Sequence, residues 1–376
     1  MKAIIVINTL GSGGAERSML EFAKFLHCRE DSIVKFVCLE HKKIGVEKDV
    51  EALGIPVIYF EKDGGYLAKT KFLVKIFRKE QPQIIHSLLT EANIVTRLSR
   101  KFYSKGKLIQ SLVNTAYSLE RKKDSKLSWQ KFQLAKQFDI WTARSTSQIF
   151  FHAITDRVLE HYKPLFNFKQ NSKVIYRGRY ENPYLDELPK SGETKQFTLI
   201  NSGRQEFAKG QIDILKALVY IRNKYGIDNI KLEILGRPGS YSDILQQYID
   251  ENSLQDQVSI RGFVTDVQKR LVQANAFIFP SYYEGLGGAL LEGFAARLPC
   301  ICSDIPVLKE VVGSEEGALF SPPGDFETLG DNIKILIENQ NLQVKLANYV
   351  YNRFQSNFRI EKINAKMLDM YREVLS

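Results

Sequence analysis

Short apolar runs rich in β-branched residues alternate with amphipathic stretches from the start of the chain. Ala3 to Asn8, Ile33 to Cys38, Val57 to Phe60, Ile84 to His86, Leu108 to Val113 and Ile149 to Ala153 read as buried strands, with helices between them. The clearest helical period is in Ala15 to Leu26, where Met19, Leu20, Ala23 and Leu26 share one face. Around Tyr180 to Gly192 the pattern gives way to Pro, Gly and polar residues, which suits a linker. It then restarts with Phe197 to Asn201, Lys231 to Leu235, Val258 to Arg261, Ala276 to Phe279 and Pro299 to Cys302. Phe358, Ile360, Ile363, Met367, Tyr371 and Val374 mark a closing amphipathic helix. Strands alternating with helices predict parallel sheets covered on both faces. Two such α/β halves predict a cleft between the carboxyl ends of two sheets, where open α/β folds bind ligands.

The 376 residues support this division, because one core seldom grows that large and two domains of roughly 180 residues are expected. Charge divides the halves as well. Residues 1 to 190 carry 33 Lys+Arg against 20 Asp+Glu, and the remainder carry 20 against 23. Much of the excess lies in 97 to 144, with 12 basic and 3 acidic side chains interleaved with Trp129, Phe132, Phe138 and Trp141. A helix over Ser128 to Ala143 has two readings: contact with an anionic membrane surface, or a solvated basic face with its aromatics in the core. No nucleic-acid-binding module accompanies the charge, so nucleic acid is not an expected partner. Cys28, Cys38, Cys300 and Cys302 lack metal-ligand spacing, and Cys300 and Cys302 alternate along a strand. With no signal peptide and no apolar run near 20 residues, the expected location is the cytoplasm.

Three constellations carry chemistry. Gly11-Ser12-Gly13-Gly14-Ala15-Glu16-Arg17 follows the first strand and opens a helix, a place where backbone N–H groups can meet an anion. Asn201-Ser202-Gly203-Arg204 with Lys209-Gly210 occupies the corresponding corner of the second half, and Arg plus Lys there suits a departing diphosphate. Pro280-Ser281-Tyr282-Tyr283-Glu284-Gly285-Leu286-Gly287-Gly288-Ala289-Leu290-Leu291-Glu292 follows a buried strand. Its glycines open a helix able to hold phosphate. Glu284 and Glu292 can take a sugar and a ribose, and carboxylates among Leu290, Leu291 and Phe294 are costly without a partner.

Glu284 and Glu292 in Glu-X7-Glu spacing, Gly203-Arg204 with Lys209-Gly210, Gly13 to Arg17 and Ser303-Asp304 together resemble family 4 (group 1) retaining glycosyltransferases. The resemblance implies a GT-B fold, two Rossmann-like doubly wound domains facing each other across a cleft. The first, residues 1 to 185, would bind the acceptor, with a final helix at about 356 to 376 packing back on it; the second, residues 192 to 355, would bind a nucleotide-sugar donor. Arg204 and Lys209 would hold the diphosphate, Glu292 the ribose, and Glu284 with Gly285, Leu286, Gly287 and Gly288 the donor sugar and phosphate. Gly13 and Gly14 would close on the donor. The implied reaction transfers a sugar, commonly from a UDP-sugar, to a glycan or lipid-linked acceptor with retention, as in surface-polysaccharide or glycoconjugate synthesis. A lipid-linked acceptor would place the protein peripherally on the inner face of the plasma membrane.

Two positions depart from the family pattern. Val113-Asn114-Thr115 stands where His-Asn is frequent, and Arg177-Gly178 where Asn-Gly is. His86, with His152 as a second choice, is the histidine left to serve in catalysis, against a structural hydrogen bond at a strand end. No Asp-X-Asp occurs, so neither a metal nor another cofactor is expected. Two other functions remain open: a nucleotide-sugar-binding protein without turnover, and an NAD-dependent oxidoreductase using Gly11 to Glu16 with Glu40.

Overall fold

The structure, a computed structural model, describes residues 1–11, 13–42, 45–124, 127–166, 168, 171–187 and 196–376. Ser12 of the first glycine loop, Lys126 of the basic stretch and Leu188 to Gly192 of the expected linker lie outside the described residues. The chain forms two compact units: residues 1–118, 125–178 and 360–376, and residues 119–124 and 179–359.

In the first unit the strands are β1 (Lys2–Ile7), β2 (Ile33–Cys38), β3 (Val57–Tyr59), β4 (Ile84–Leu88), β5 (Lys107–Leu112), β6 (Ile149–Ala153) and β7 (Ser172–Val174). They form a parallel sheet in the order β3-β2-β1-β4-β5-β6-β7, with Ile5 opposite both Phe36 and His86. Its helices are α1 (Gly14–His27), α2 (Glu47–Ala52), α3 (Tyr66–Glu80), α4 (Thr90–Ser99), α6 (Trp129–Ser145), α7 (Asp156–Tyr162) and α15 (Ile360–Leu375), while α5 (Leu119–Asp124) groups with the second unit. α1 buries Met19, Leu20, Phe22, Ala23 and Leu26, adding Phe22 to the face its period predicts. α15 sinks Ile363, Met367, Met370 and Tyr371 into the same core. The closing helix does not run unbroken from 356. α14 (Gln340–Asn357) ends before fully buried Phe358, and α15 starts at Ile360.

The second unit's strands are β8 (Phe197–Ser202), β9 (Ile230–Leu235), β10 (Val258–Gly262), β11 (Ala276–Phe279), β12 (Cys300–Ser303) and β13 (Leu319–Ser321), parallel in the order β10-β9-β8-β11-β12-β13. α8 (Gln211–Tyr225), α9 (Ser242–Glu251), α10 (Val267–Gln273), α11 (Gly288–Ala295), α12 (Pro306–Val312) and α13 (Phe326–Glu338) cover it. Both Cys300 and Cys302 are buried, since each face of the sheet is covered, and burial raises both thiol pKa values. Each sheet reverses its strand order once, between β1 and β4 and between β8 and β11. At such switch points the loops leaving the carboxyl ends diverge and leave room for a ligand.

Candidate functional site

The second sheet ends in a repeated device. Three adjacent strands each close on a glycine followed by a large side chain: Ser202-Gly203-Arg204, Leu235-Gly236-Arg237 and Arg261-Gly262-Phe263. The Gly203 N–H donates to the Leu235 carbonyl at 2.8 Å and the Gly236 N–H to that of Gly262 at 2.7 Å. Gly236 adopts φ +138°, and a Cβ there would lie 2.1 Å from the Gly203 carbonyl oxygen, so only glycine fits. Arg204 is exposed. The Arg237 guanidinium lies 4.8 Å from the Phe263 ring centroid, and that ring is 55% exposed. Anion-binding and ring-stacking groups therefore share one edge. Sequence reasoning missed Arg237 and Phe263, although the Gly-plus-large-residue repeat was present to signal them.

Across the switch point, the loop after β11 is locked to the one after β8. The Tyr282 N–H donates to the Ala208 carbonyl at 2.9 Å, and a Cβ on Gly210, at φ +60°, would lie 2.0 Å from the Pro280 carbonyl oxygen. This brings Lys209 to Glu284, with Nζ donating to Oε1 at 2.5 Å. Gly287 caps α11 at φ +85°, Leu286 is buried, and Glu292 sits one turn inside the helix. Glu292 Oε1 accepts from Arg179 Nε at 3.1 Å. Below the loops Asp213, 2% exposed, bonds Tyr282; burial raises its pKa and the tyrosine opposes the shift. The structure thus gathers Lys209, Glu284, Gly285 to Gly288 and Glu292 around the carboxyl ends of β8 and β11, with Arg204 on the β8 loop.

In the first unit, Gly13 is the N-cap of α1 and makes no side-chain capping bond. Glu16 folds back so that a Cβ on Gly13 would lie 2.4 Å from its carboxylate, and one on Gly14 would lie 3.1 Å from Arg177 Nη1. A side chain at either glycine would have to displace the end of Glu16 or of Arg177. At this sheet's switch point, Glu91 accepts from Lys69 Nζ at 2.6 Å and from Asn8 Nδ2 at 3.3 Å. Just before it, Leu89 holds φ +74° and ψ 150°, a region nearly reserved for glycine, whose strain is worth about 1–3 kcal/mol. Nothing in the sequence pattern signalled this cluster.

His86 is fully buried. His152 Nε2 lies 2.9 Å from the Ile175 carbonyl, which can only accept, so that nitrogen carries the proton. A directed chain follows: Tyr371 O–H donates to His86 Nδ1 at 2.8 Å, His86 Nε2–H to Ser111 Oγ at 2.7 Å, and Ser111 O–H to His152 Nδ1 at 2.8 Å. Burial pushes the His86 pKa well down, with His152 adding to the effect. Burial also pushes His152 down to about 4, opposed by its bond to Ile175 and assisted by Arg177. Every ring nitrogen is used inside the fold, which is the structural alternative to a catalytic His86.

α6, capped by Ser128, runs through the basic stretch. Phe132 is buried, but Trp129 is 54% exposed, Leu134 71% and Trp141 50%, so its aromatics do not all lie in the core. Lys101 Nζ stands 4.6 Å from the Trp141 ring centroid. The inner face is held by a buried ion pair between Arg97 and Asp139, and the second Asp139 oxygen accepts from Tyr117 at 2.5 Å. Among the described residues, no helix is long and apolar enough to cross a membrane.

Comparison with known proteins places this geometry. Residues 186–353 match the family of glycosyl transferases group 1. The chain is 24% identical over 320 residues to the capsular polysaccharide biosynthesis glycosyltransferase CapH of Staphylococcus aureus, covering 83% of each protein. It is 22% identical over 312 residues to the UDP-Gal:alpha-D-GlcNAc-diphosphoundecaprenol alpha-1,3-galactosyltransferase of Escherichia coli, covering 79% of this chain and 78% of that one. Its backbone superposes on that of Anabaena HepE in complex with UDP with a TM-score of 0.83 at 19% identity, over 99% of this chain and 100% of the other. The second unit thus carries the match to glycosyl transferases group 1, and the chain has the GT-B fold, two doubly wound α/β units.

Proposed function

We propose that this protein is a retaining, metal-independent hexosyltransferase that moves a sugar from a UDP-sugar to a glycan or lipid-linked acceptor in surface-polysaccharide or glycoconjugate assembly. The observation that carries the reading is the Lys209–Glu284 pair at the switch point of the second sheet, with Arg204 on the same loop. Exposed Phe263 with Arg237 offers a stacking surface for the base, and Glu292 offers the ribose a carboxylate. In the reaction the C1–O bond to the β-phosphate breaks as an acceptor oxygen bonds C1 on the same face. The acceptor proton passes to a leaving phosphate oxygen, and Arg204 and Lys209 stabilise the charge that develops there. Glu284 orients the sugar and holds Lys209 in place. The scheme uses no metal or other cofactor, since Arg204 and Lys209 are the groups set against the leaving phosphate.

The acceptor falls to the first unit, with Glu91, Lys69 and Asn8 at its switch point as candidate contacts. The relatives above, one named for a diphosphoundecaprenol-linked sugar and one for capsule synthesis, support a lipid-linked or glycan acceptor. Such an acceptor places the protein peripherally on the cytoplasmic face of the plasma membrane. The 97–144 surface suits that position, with Trp129, Leu134 and Trp141 outward among lysines. Incubation with a panel of UDP-sugars and lipid-diphosphate-linked acceptors, with the product anomer read by NMR, tests the chemistry. Glu284→Gln should lower kcat far more than donor affinity; full activity in that variant, or an inverted product, refutes the mechanism. Co-sedimentation with phosphatidylglycerol vesicles that weakens with salt, and more so in Leu134→Ala/Trp141→Ala, supports the membrane role. Salt-insensitive binding or none contradicts it.

A further inference from the structure

One charged residue of the second unit has no part in the scheme above. Arg179 opens the long segment of that unit, where its N–H donates to the Phe358 carbonyl at 2.9 Å and it forms a bridge with Arg359. The backbone is therefore anchored, and the side chain, 17% exposed, reaches the first turn of α11. Its Nε donates to Glu292 Oε1 at 3.1 Å. Its Nη2 lies where a side chain on Gly288 would begin, since a Cβ there would be 2.3 Å away. Gly288 is thus the space in which the guanidinium rests, over the helix end that the donor phosphates are expected to approach.

Charge gives this placement its meaning. Arg204 and Lys209 are balanced by Glu284 and Glu292, so these four side chains together offer no net attraction to a diphosphate. Arg179 adds a positive charge to this set, on the α11 side, away from Arg237 at the Phe263 edge. A carboxylate also has two oxygens: Glu292 can hold Arg179 on Oε1 and take ribose hydroxyls on Oε2. We propose that Arg179 is a third diphosphate-binding cation of the donor site, aimed by Glu292 at the phosphates from the amino end of α11. This rests on the nucleotide-sugar reading above. The opposite role, a guanidinium occupying the ribose carboxylate that nucleotide must displace, predicts the reverse effect on affinity.

The test is calorimetric titration of the full chain and of Arg179→Lys and Arg179→Gln with UDP, UMP and uridine, each variant first shown to melt cooperatively. Loss of one charge-assisted contact should weaken UDP about 10–100-fold in Arg179→Gln. Uridine should bind as in wild type, and Arg179→Lys should recover part of the loss. The salt dependence of UDP binding should also become shallower in Arg179→Gln. UDP binding that is unchanged or tighter in both variants overturns the proposal while leaving the donor reading intact. Failure of the wild-type chain to bind UDP, GDP and ADP overturns both.

Discussion

Gly293→Ala separates packing from propensity at the donor helix. Gly293 follows Glu292 in α11, and a Cβ there would lie 2.7 Å from Phe277 Cγ and 3.0 Å from Cδ1. The Phe277 ring is fully buried and stacked on Phe279 at 5.9 Å, so it has little room to yield. Reaching ordinary contact at 3.4 Å moves α11 outward by about 0.7 Å, carrying Glu292 and the Gly287–Gly288 turn with it. Helix propensity gains about 1 kcal/mol from alanine, while overpacking costs about 1–3 kcal/mol. The net destabilisation is thus about 0–2 kcal/mol, a fall of no more than about 8 °C in a unit of this size. Ligand contacts suffer more, because a hydrogen bond stretched from about 2.8 to 3.5 Å is largely lost. Two contacts made by α11, at Glu292 and at the phosphate turn, predict a fall in UDP affinity of about 10–100-fold, measured by calorimetry alongside a thermal melt. Unchanged UDP affinity, with a melting temperature within a degree of wild type, would show that this close helix–strand approach does not set the site.

Two further outcomes concern the first unit. His152 is neutral in the fold with a pKa of about 4, against about 6.5 when unfolded, so the unfolded chain binds more protons between those values. Its contribution is complete above about pH 6.5 and falls away towards pH 4, by about 3 kcal/mol at the low end, with His86 acting in the same direction. Thermal melts from pH 7 to 4 should show this slope and a shallower one in His152→Gln; equal slopes contradict the assignment. Asp139→Ala leaves the Arg97 guanidinium buried without its counter-ion and should cost about 3–5 kcal/mol in denaturant unfolding, whereas a loss below about 1 kcal/mol would mean that water reaches the pair.

Much of the fold was legible because strand and helix periods differ sharply in buried parallel sheets. Ile149–Ala153 and Ala276–Phe279 match their apolar runs residue for residue. β4 runs on through Ser87 and Leu88, beyond its expected end at His86, because Ser87 is buried by bonds to Asn93 and Gln110, a pairing no apolar pattern records. β7 and β13 were missed because they are three-residue edge strands with too few apolar positions to make a run, β7 opening on Ser172-Lys173 and β13 closing on Ser321. At the candidate site, glycines adjoining cations and acids announced the β8 and β11 loops, since each has a local steric or electrostatic reason. Arg179, 113 positions from Glu292, and the Tyr371–His86 contact, 285 positions apart, depend on tertiary proximity that local pattern does not carry.

The central claim is that the carboxyl edge of the second sheet holds a nucleoside diphosphate through its cations. Thermal melting of the wild-type chain and of Arg204→Ala, with and without UDP at about 100 times its Kd for the wild type, addresses it most directly. Binding should stabilise the wild type by about 2.7 kcal/mol, a rise of about 5–10 °C, and Arg204→Ala should lose most of that rise. No shift with UDP or any other nucleoside diphosphate, or an equal shift in Arg204→Ala, contradicts the claim.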